Sequence, residues 1–252
     1  MIDLNKRYLV ESRLNPVVER EGLLSINDLC NNMRQGKPGL SRKVIEAMTT
    51  HETFFFRDSG PFDFLQKEIL SRIMAKRPRG HRLNIWSAAA SSGQEAYSLA
   101  MLLLEYGFSP SEVSILGTDI SEKVLQRAKK AVYGAFEVSR GLPPEYLNRY
   151  FQRVGSEYQV QEHVRRMVHF ENLDLRGCLR GRGPFDIVFC RNVLIYFDGP
   201  TKEAVLREIR GVMARGAYLI LGTAETTGSV EGFLRIQTTD AVAYIVDENN
   251  VL

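Results

Sequence analysis

From Met1 to about Thr50 the apolar positions fall at helical spacing, in Tyr8-Leu9-Val10, Leu14, Val17-Val18, Leu23-Leu24 and Val44-Ile45-Met48. Ser25 followed by Asn27-Asp28 predicts a helix N-cap, Pro16 an interruption of the first helix, and Gly36-Lys-Pro-Gly39 a break between two later ones. This stretch reads as a small helical domain. A helix is predicted from Pro61 to Met74, and then the pattern changes. Leu83, Ile85 and Trp86 predict a buried strand, and Ala88 to Gly93 carry almost no side-chain bulk before a helix begins. Ser114 to Asp119 predicts a second strand, Ser121 to Ala131 a capped helix, and Phe185 to Cys190 a buried strand announced by Gly183-Pro184. Thr201 to Met213 follows as an amphipathic helix, with strands at Ala217 to Leu221 and Ala241 to Val246 closing as an antiparallel hairpin. Strand and helix alternate from Leu83 to Val212, which implies a doubly wound, mainly parallel sheet. Tyr150 to Val154, Tyr158 to Val164 and Val168 to Phe170 alternate as short antiparallel strands, an insert at about 150–170. The expected division is a helical domain and linker over 1–60 and an α/β domain over 61–252.

The turn after the first strand leaves room for a flat, large ligand against the backbone. In such sheets nucleotide-like molecules lie beyond the carboxyl ends of the strands, at the N-terminus of the following helix. Asp119 ends the second strand at about the spacing of an acid that accepts hydrogen bonds from both ribose hydroxyls. The turn lacks Gly-x-Gly-x-x-Gly, which disfavours a dinucleotide and leaves S-adenosylmethionine, which has no pyrophosphate, as the better fit. Taken alone, this unit reads equally well as an ordinary strand, turn and helix. Phe54-Phe55-Phe56 cannot all point one way. The segment reads either as a cover for the cofactor crevice or as an apolar plug between domains.

Composition narrows the class only modestly. The chain has 252 residues, 44% hydrophobic and 25% charged, with a formal net charge of +3, an excess too small to argue for nucleic acid. Cys30, Cys178 and Cys190 lack Cys-x-x-Cys spacing and the four histidines form no ligand pair, so neither a disulfide framework nor a metal site is indicated. Apolar runs such as Tyr97 to Leu104 are far shorter than a bilayer requires, and the N-terminus has no basic-then-apolar signal region. A cytoplasmic protein, not embedded in a membrane, is expected. The charges Lys6, Arg7, Arg13 and Arg20 on the first helix are offset by Glu11, Glu19 and Glu21. They read as a solvated face or as a docking surface for an acidic partner.

Several separate stretches resemble the chemotaxis receptor methyltransferase family, CheR. They are Glu52 to Arg57, Trp86-Ser-Ala-Ala with Gly93, Glu95 and Tyr97-Ser-Leu-Ala, Gly117 to Ile120, Asn172-Leu173, Phe189 to Asp198 and Leu221 to Glu225. The resemblance implies a class I, Rossmann-like S-adenosylmethionine-dependent methyltransferase with an N-terminal helical domain and a small inserted antiparallel β-subdomain. It implies esterification of glutamate side chains on the cytoplasmic helical region of methyl-accepting chemotaxis receptors, with S-adenosylhomocysteine as product, no metal, and a monomeric enzyme. By the same resemblance Asp119 holds the ribose, Glu95 lies near the cofactor ammonium, and Asn172 and Leu173 contact the adenine. His51, Thr53, Arg57, Arg191 and Asn192 line the rest of the pocket, with Arg57 and Tyr196 flanking the methyl-transfer region.

The chain also departs from the family pattern. Ser92-Gly-Gln-Glu-Ala96 stands where Thr-Gly-Glu-Glu-Pro is common, His51 where Asn is usual, and Arg215-Gly216-Ala217 where Pro-Gly-Gly is usual. The chain begins where the second helix of enterobacterial relatives would begin, and its first helix is less basic. The hairpin at Phe151 to Val160 has a single glycine, Gly155, where tethered members carry Gly-x-Gly, so action without a receptor pentapeptide tether is expected. Two other classes fit less of the chain: an enzyme acting on a small molecule, and a non-catalytic cofactor-binding signalling protein.

Overall fold

The computed structural model describes residues 7–76 and 80–247. Lys6 and the start of the helical stretch at Met1 lie outside these residues. The chain divides into two compact units, Met1–Glu52 and Thr53–Leu252.

The first unit packs α1 (Arg7–Arg20), α2 (Ile26–Arg34) and α3 (Leu40–Met48) around Leu14, Val17, Val18, Leu29 and Leu40. Ser25 caps α2 through its hydroxyl, which accepts from Asp28 N at 3.1 Å. Pro16 does not interrupt α1, contrary to the sequence expectation, because its missing N–H removes only one rung of the ladder while the face carrying Leu14, Val17 and Val18 stays buried. Arg13 donates to the Met48 carbonyl at 2.6 Å and to Thr50 Oγ1 at 3.0 Å, which fastens the end of this unit to α1.

The second unit opens with α4 (Gly60–Phe64), a π-helical turn at Leu65–Ile69 and α5 (Leu70–Lys76). The expected single helix over this stretch is therefore a composite. The π turn keeps Leu65, Ile69 and Leu70 all fully buried, a spacing that a regular helix spreads over more than one face. Next come β1 (Leu83–Ser87), α6 (Gln94–Tyr106), β2 (Val113–Asp119), α7 (Glu122–Lys130), β3 (Val132–Gly134), α8 (Ala135–Ser139) and α9 (Pro144–Tyr150). The chain continues through β4 (Phe151–Val154), β5 (Glu157–Val160), α10 (Glu162–Arg165), β6 (Val168–Asn172) and β7 (Phe185–Cys190). It ends with α11 (Gly199–Gly211), β8 (Met213–Leu221), β9 (Phe233–Ile236) and β10 (Val242–Val246).

Among the described residues the main sheet has seven strands in the order β6-β2-β1-β7-β8-β10-β9. It is parallel from β6 to β8 and antiparallel where β10 pairs with β8 and β9. Alternate residues feed two cores: Ile85, Ile115, Ile187, Phe189 and Ile220 pack with α6 and α7, and Trp86, Val188, Leu219 and Leu221 pack with α11. Strand order reverses between β1 and β7, which places the ligand crevice of such a sheet outside their carboxyl ends.

The small sheet differs from expectation. Its order is β3-β5-β4, and Val168–Asn172 belongs instead to the edge of the main sheet, parallel to β2. A parallel edge strand is buried on one face only, so it alternates like an antiparallel one. The third strand of the small sheet, Val132–Gly134, gives no alternation signal in the sequence because it is only three residues long and follows α7 through Ala131 in the left-handed region at φ +54°.

Candidate active site

The turn after β1 is built by backbone contacts that its small residues permit. Ala88 N donates to the Phe189 carbonyl and Ala90 N to the Thr118 carbonyl, both at 2.8 Å, so the turn bridges β7 and β2. Gly93, at φ +96°, starts α6, and a Cβ there would lie 2.9 Å from Ala128 Cβ. The Tyr133 hydroxyl, fully buried, donates to the Ser92 carbonyl at 2.7 Å; burial raises the pKa of this phenol well above its ordinary value.

Asp119 ends β2 facing this turn. Its two oxygens accept Ser91 N and Ser121 N, each at 2.9 Å. Asn172 is brought to the same place: its Nδ2 donates to the Ile120 carbonyl at 2.8 Å and to the Asp119 carbonyl at 3.1 Å. Leu173 N donates to the Asp119 carbonyl at 3.0 Å. Asp119, Asn172 and Leu173 thus form one cluster.

A second cluster gathers around Arg191, whose side chain is 2% exposed. Its Nη1 donates to Glu95 Oε2 at 3.1 Å, and its Nη2 donates to Asp58 Oδ2 at 3.0 Å and to the Arg57 carbonyl at 2.8 Å. Its Nε is buried with no hydrogen-bond partner among the described residues. Glu95 also accepts from Ser87 Oγ at 2.7 Å. Removing Glu95 or Asp58 would be costly, because it would leave part of the charge of a buried guanidinium unmet. The turn that Arg191 grips holds Phe56 at φ +48° and Asp58 at φ +53°, and Phe56 N donates to Ser98 Oγ at 2.9 Å.

The three phenylalanines diverge. Phe55 is fully buried against Tyr133 and Phe151, Phe56 meets Phe62 and Tyr146, and Phe54 lies beneath the Arg140 guanidinium, 4.0 Å from its ring centroid. Arg57 sits 5.8 Å from the same Phe54 ring. Thr53 stands half-buried at the start of this unit. His51 lies in the helical unit, where its Nε2 is 2.8 Å from Thr49 Oγ1.

Beyond β7 the backbone turns sharply at Asn192, φ +56°, and enters a short 3₁₀ turn, Leu194–Tyr196, that leaves Tyr196 51% exposed. This turn is held by Glu225, 3% exposed, whose carboxylate accepts from five backbone N–H groups. Sequence reasoning matched Glu225 only as part of a stretch and did not single out Asp58 or Ser87. The one available signal was a lone acid in the otherwise uncharged run Leu221 to Thr227. Gln94 is 2% exposed; it accepts from Ser92 Oγ at 2.8 Å and donates to Glu137 Oε1 at 3.3 Å. A glutamate there would face the Glu137 carboxylate, so the neutral amide suits its surroundings.

The site fits an adenosyl cofactor: an acid at the end of β2, a side-chain-poor turn and an apolar neighbour in Leu173. Fold and crevice together define an S-adenosylmethionine-dependent methyltransferase of the doubly wound type. More particularly, residues 51–242 match the model described as CheR methyltransferase, SAM binding domain, and the chain belongs to the CheR family. It is 40% identical over 247 residues to Chemotaxis protein methyltransferase 1 of Pseudomonas aeruginosa, covering 95% of this chain and 90% of that one. Chemotaxis protein methyltransferase Cher2 of Pseudomonas putida is 38% identical with the same coverage, and Chemotaxis protein methyltransferase of Vibrio parahaemolyticus is 40% identical over 95% of this chain and 89% of that one. S-adenosylmethionine is the cofactor. Among the described residues no helix is long and apolar enough to cross a membrane, and no group of acids, histidines and cysteines could hold a metal ion.

Proposed function

We propose that this protein methylates glutamate side-chain carboxylates on the cytoplasmic helical region of bacterial chemoreceptors, and does so in the cytoplasm as a monomer without a C-terminal pentapeptide tether. The observation that carries the reading is the Arg191 cluster, which joins the acid Glu95 to the turn bearing Arg57 at the carboxyl ends of β1 and β7. The family's relatives named for chemotaxis supply the substrate class.

The bound cofactor supplies a methyl group on a sulfonium sulfur, and S-adenosylhomocysteine remains after transfer. Asp119 accepts the ribose hydroxyls, Asn172 and Leu173 border the adenine, and Glu95 meets the ammonium. Thr53 and Asn192 complete the cofactor's surroundings. Arg57 orients the substrate carboxylate by charge-assisted hydrogen bonds, and Tyr196 fixes the reacting groups with its hydroxyl and ring. A glutamate carboxylate is already ionised at neutral pH, so this site needs to supply positioning more than proton transfer, an effect worth roughly 7–11 kcal/mol when alignment is good.

Independence from a tether is supported by the small sheet. The β4–β5 hairpin turns through Gly155-Ser156 with Gly155 at φ +63°, and Arg153 Nε donates back to the Gly155 carbonyl at 3.1 Å. β4 is an edge strand, and the tight turn beside it carries one glycine, Gly155, where close approach of an added strand would favour more. The test is incubation with methyl-labelled cofactor and receptor cytoplasmic fragments, with and without the C-terminal pentapeptide, followed by release of labelled methanol in base. Equal base-labile label on both fragments is expected. Absence of label removes the glutamate reading, and label only on the fragment with the peptide removes the tether-free reading.

A further inference from the structure

We propose that Glu225 is a positioning residue for methyl transfer, holding the Asn192–Ile195 backbone and through it the ring of Tyr196. The inference rests on the reading of Tyr196 given above.

Glu225 Oε1 accepts Val193 N at 2.9 Å, Leu194 N at 2.7 Å and Ile195 N at 3.3 Å, while Oε2 accepts Asn192 N at 2.9 Å and Gly222 N at 2.8 Å. A carboxylate 3% exposed is costly unless its charge is met, and here a run of backbone dipoles meets it. Four of the five donors are successive residues between Arg191, which grips Glu95 and the Arg57 turn, and Tyr196. The fifth comes from Gly222, where a Cβ would lie 2.7 Å from Glu225 Oε2 and 3.0 Å from Asn192 N, so only glycine lets the carboxylate reach. The acid thus fixes irregular backbone between two side chains of the site, in a segment that starts at φ +56° and lies outside the described strands. Both Glu225 oxygens are engaged by backbone donors, so its effect passes through the turn.

The test uses the full chain carrying Glu225→Gln, an isosteric change that points an amide N–H₂ at two or three backbone donors. We expect kcat on receptor fragments to fall by about 10- to 100-fold, the scale set by small misplacement of reacting groups. S-adenosylhomocysteine affinity should fall by less than kcat does, since only Asn192 of the four held residues borders the cofactor. Amide hydrogen exchange should accelerate at Asn192 to Ile195 while α6 keeps its protection. In a double variant with Tyr196→Phe the two losses should fail to multiply, since both act on one group. Unchanged kcat, unchanged exchange, or losses that multiply would each overturn the proposal. If Tyr196→Phe alone leaves kcat intact, the fault lies with the Tyr196 assignment, and Glu225 is judged on its own kcat and exchange. Should Glu225→Gln fail to fold, the unmodified protein decides: rapid exchange of the Asn192 to Ile195 amides would contradict the structure's assignment.

Discussion

Asp119 uses its carboxylate twice, to pin Ser91 N and Ser121 N and, in the proposed function, to accept two ribose hydroxyls. Hydrogen bonds to a charged acceptor contribute roughly 1.5–3 kcal/mol each, so Asp119→Ala should weaken S-adenosylhomocysteine binding on the order of 100-fold or more. Calorimetry showing near-unchanged affinity would sink the ribose assignment. This residue was legible in the sequence because an acid at a strand end, at a set distance from a side-chain-poor turn, is a local pattern. Asp58 and Glu225 were not, because each acts on a segment far away in sequence: Arg191 comes 133 residues after Asp58 and Asn192 33 before Glu225. Periodicity and spacing see neither.

At the scale of elements, the strands and helices from β1 to α11 were legible wherever an apolar run met a cap or a glycine, and illegible where pairing is decided by tertiary partners. Val168–Asn172 looks the same whether it edges a parallel or an antiparallel sheet, and only its partner β2 resolves it. The join between α6 and α9 offers a test of element packing. Glu105 on α6 accepts from Tyr150 Oη at 2.5 Å and pairs with Arg149, and these contacts, the tyrosine hydrogen bond foremost, hold its carboxyl below the usual range. A lowered folded-state pKa stabilises at pH above the unfolded value of about 4.3, and that contribution is lost as pH falls through the folded value. Acid unfolding should therefore steepen below about pH 4 in the native protein and flatten in Glu105→Gln. Tyr150→Phe should cost about 1 kcal/mol at neutral pH, less at acid pH, by denaturant melts. Equal losses at both pH values would remove the carboxylate from the account.

For the whole molecule, the two compact units have separate cores, Leu14 to Leu40 in one and the two faces of the main sheet in the other. Residues 53–252 expressed alone are expected to unfold cooperatively and to bind S-adenosylhomocysteine. A loss beyond about tenfold, or 1.4 kcal/mol, relative to the full chain would mean that residues 53–252 do not hold the cofactor by themselves. Within the larger unit the strand order carries a further consequence. Among the described residues β10 is the last strand, yet it lies between β8 and β9 and is the partner that joins β9 to the sheet. During synthesis, at roughly 5–20 residues per second, β8 must wait with an open apolar edge until Val246 has emerged. Until then the nascent chain is open to wrong pairing along β8, and truncation anywhere between Ile236 and Val242 should yield an aggregating product, not a shortened enzyme.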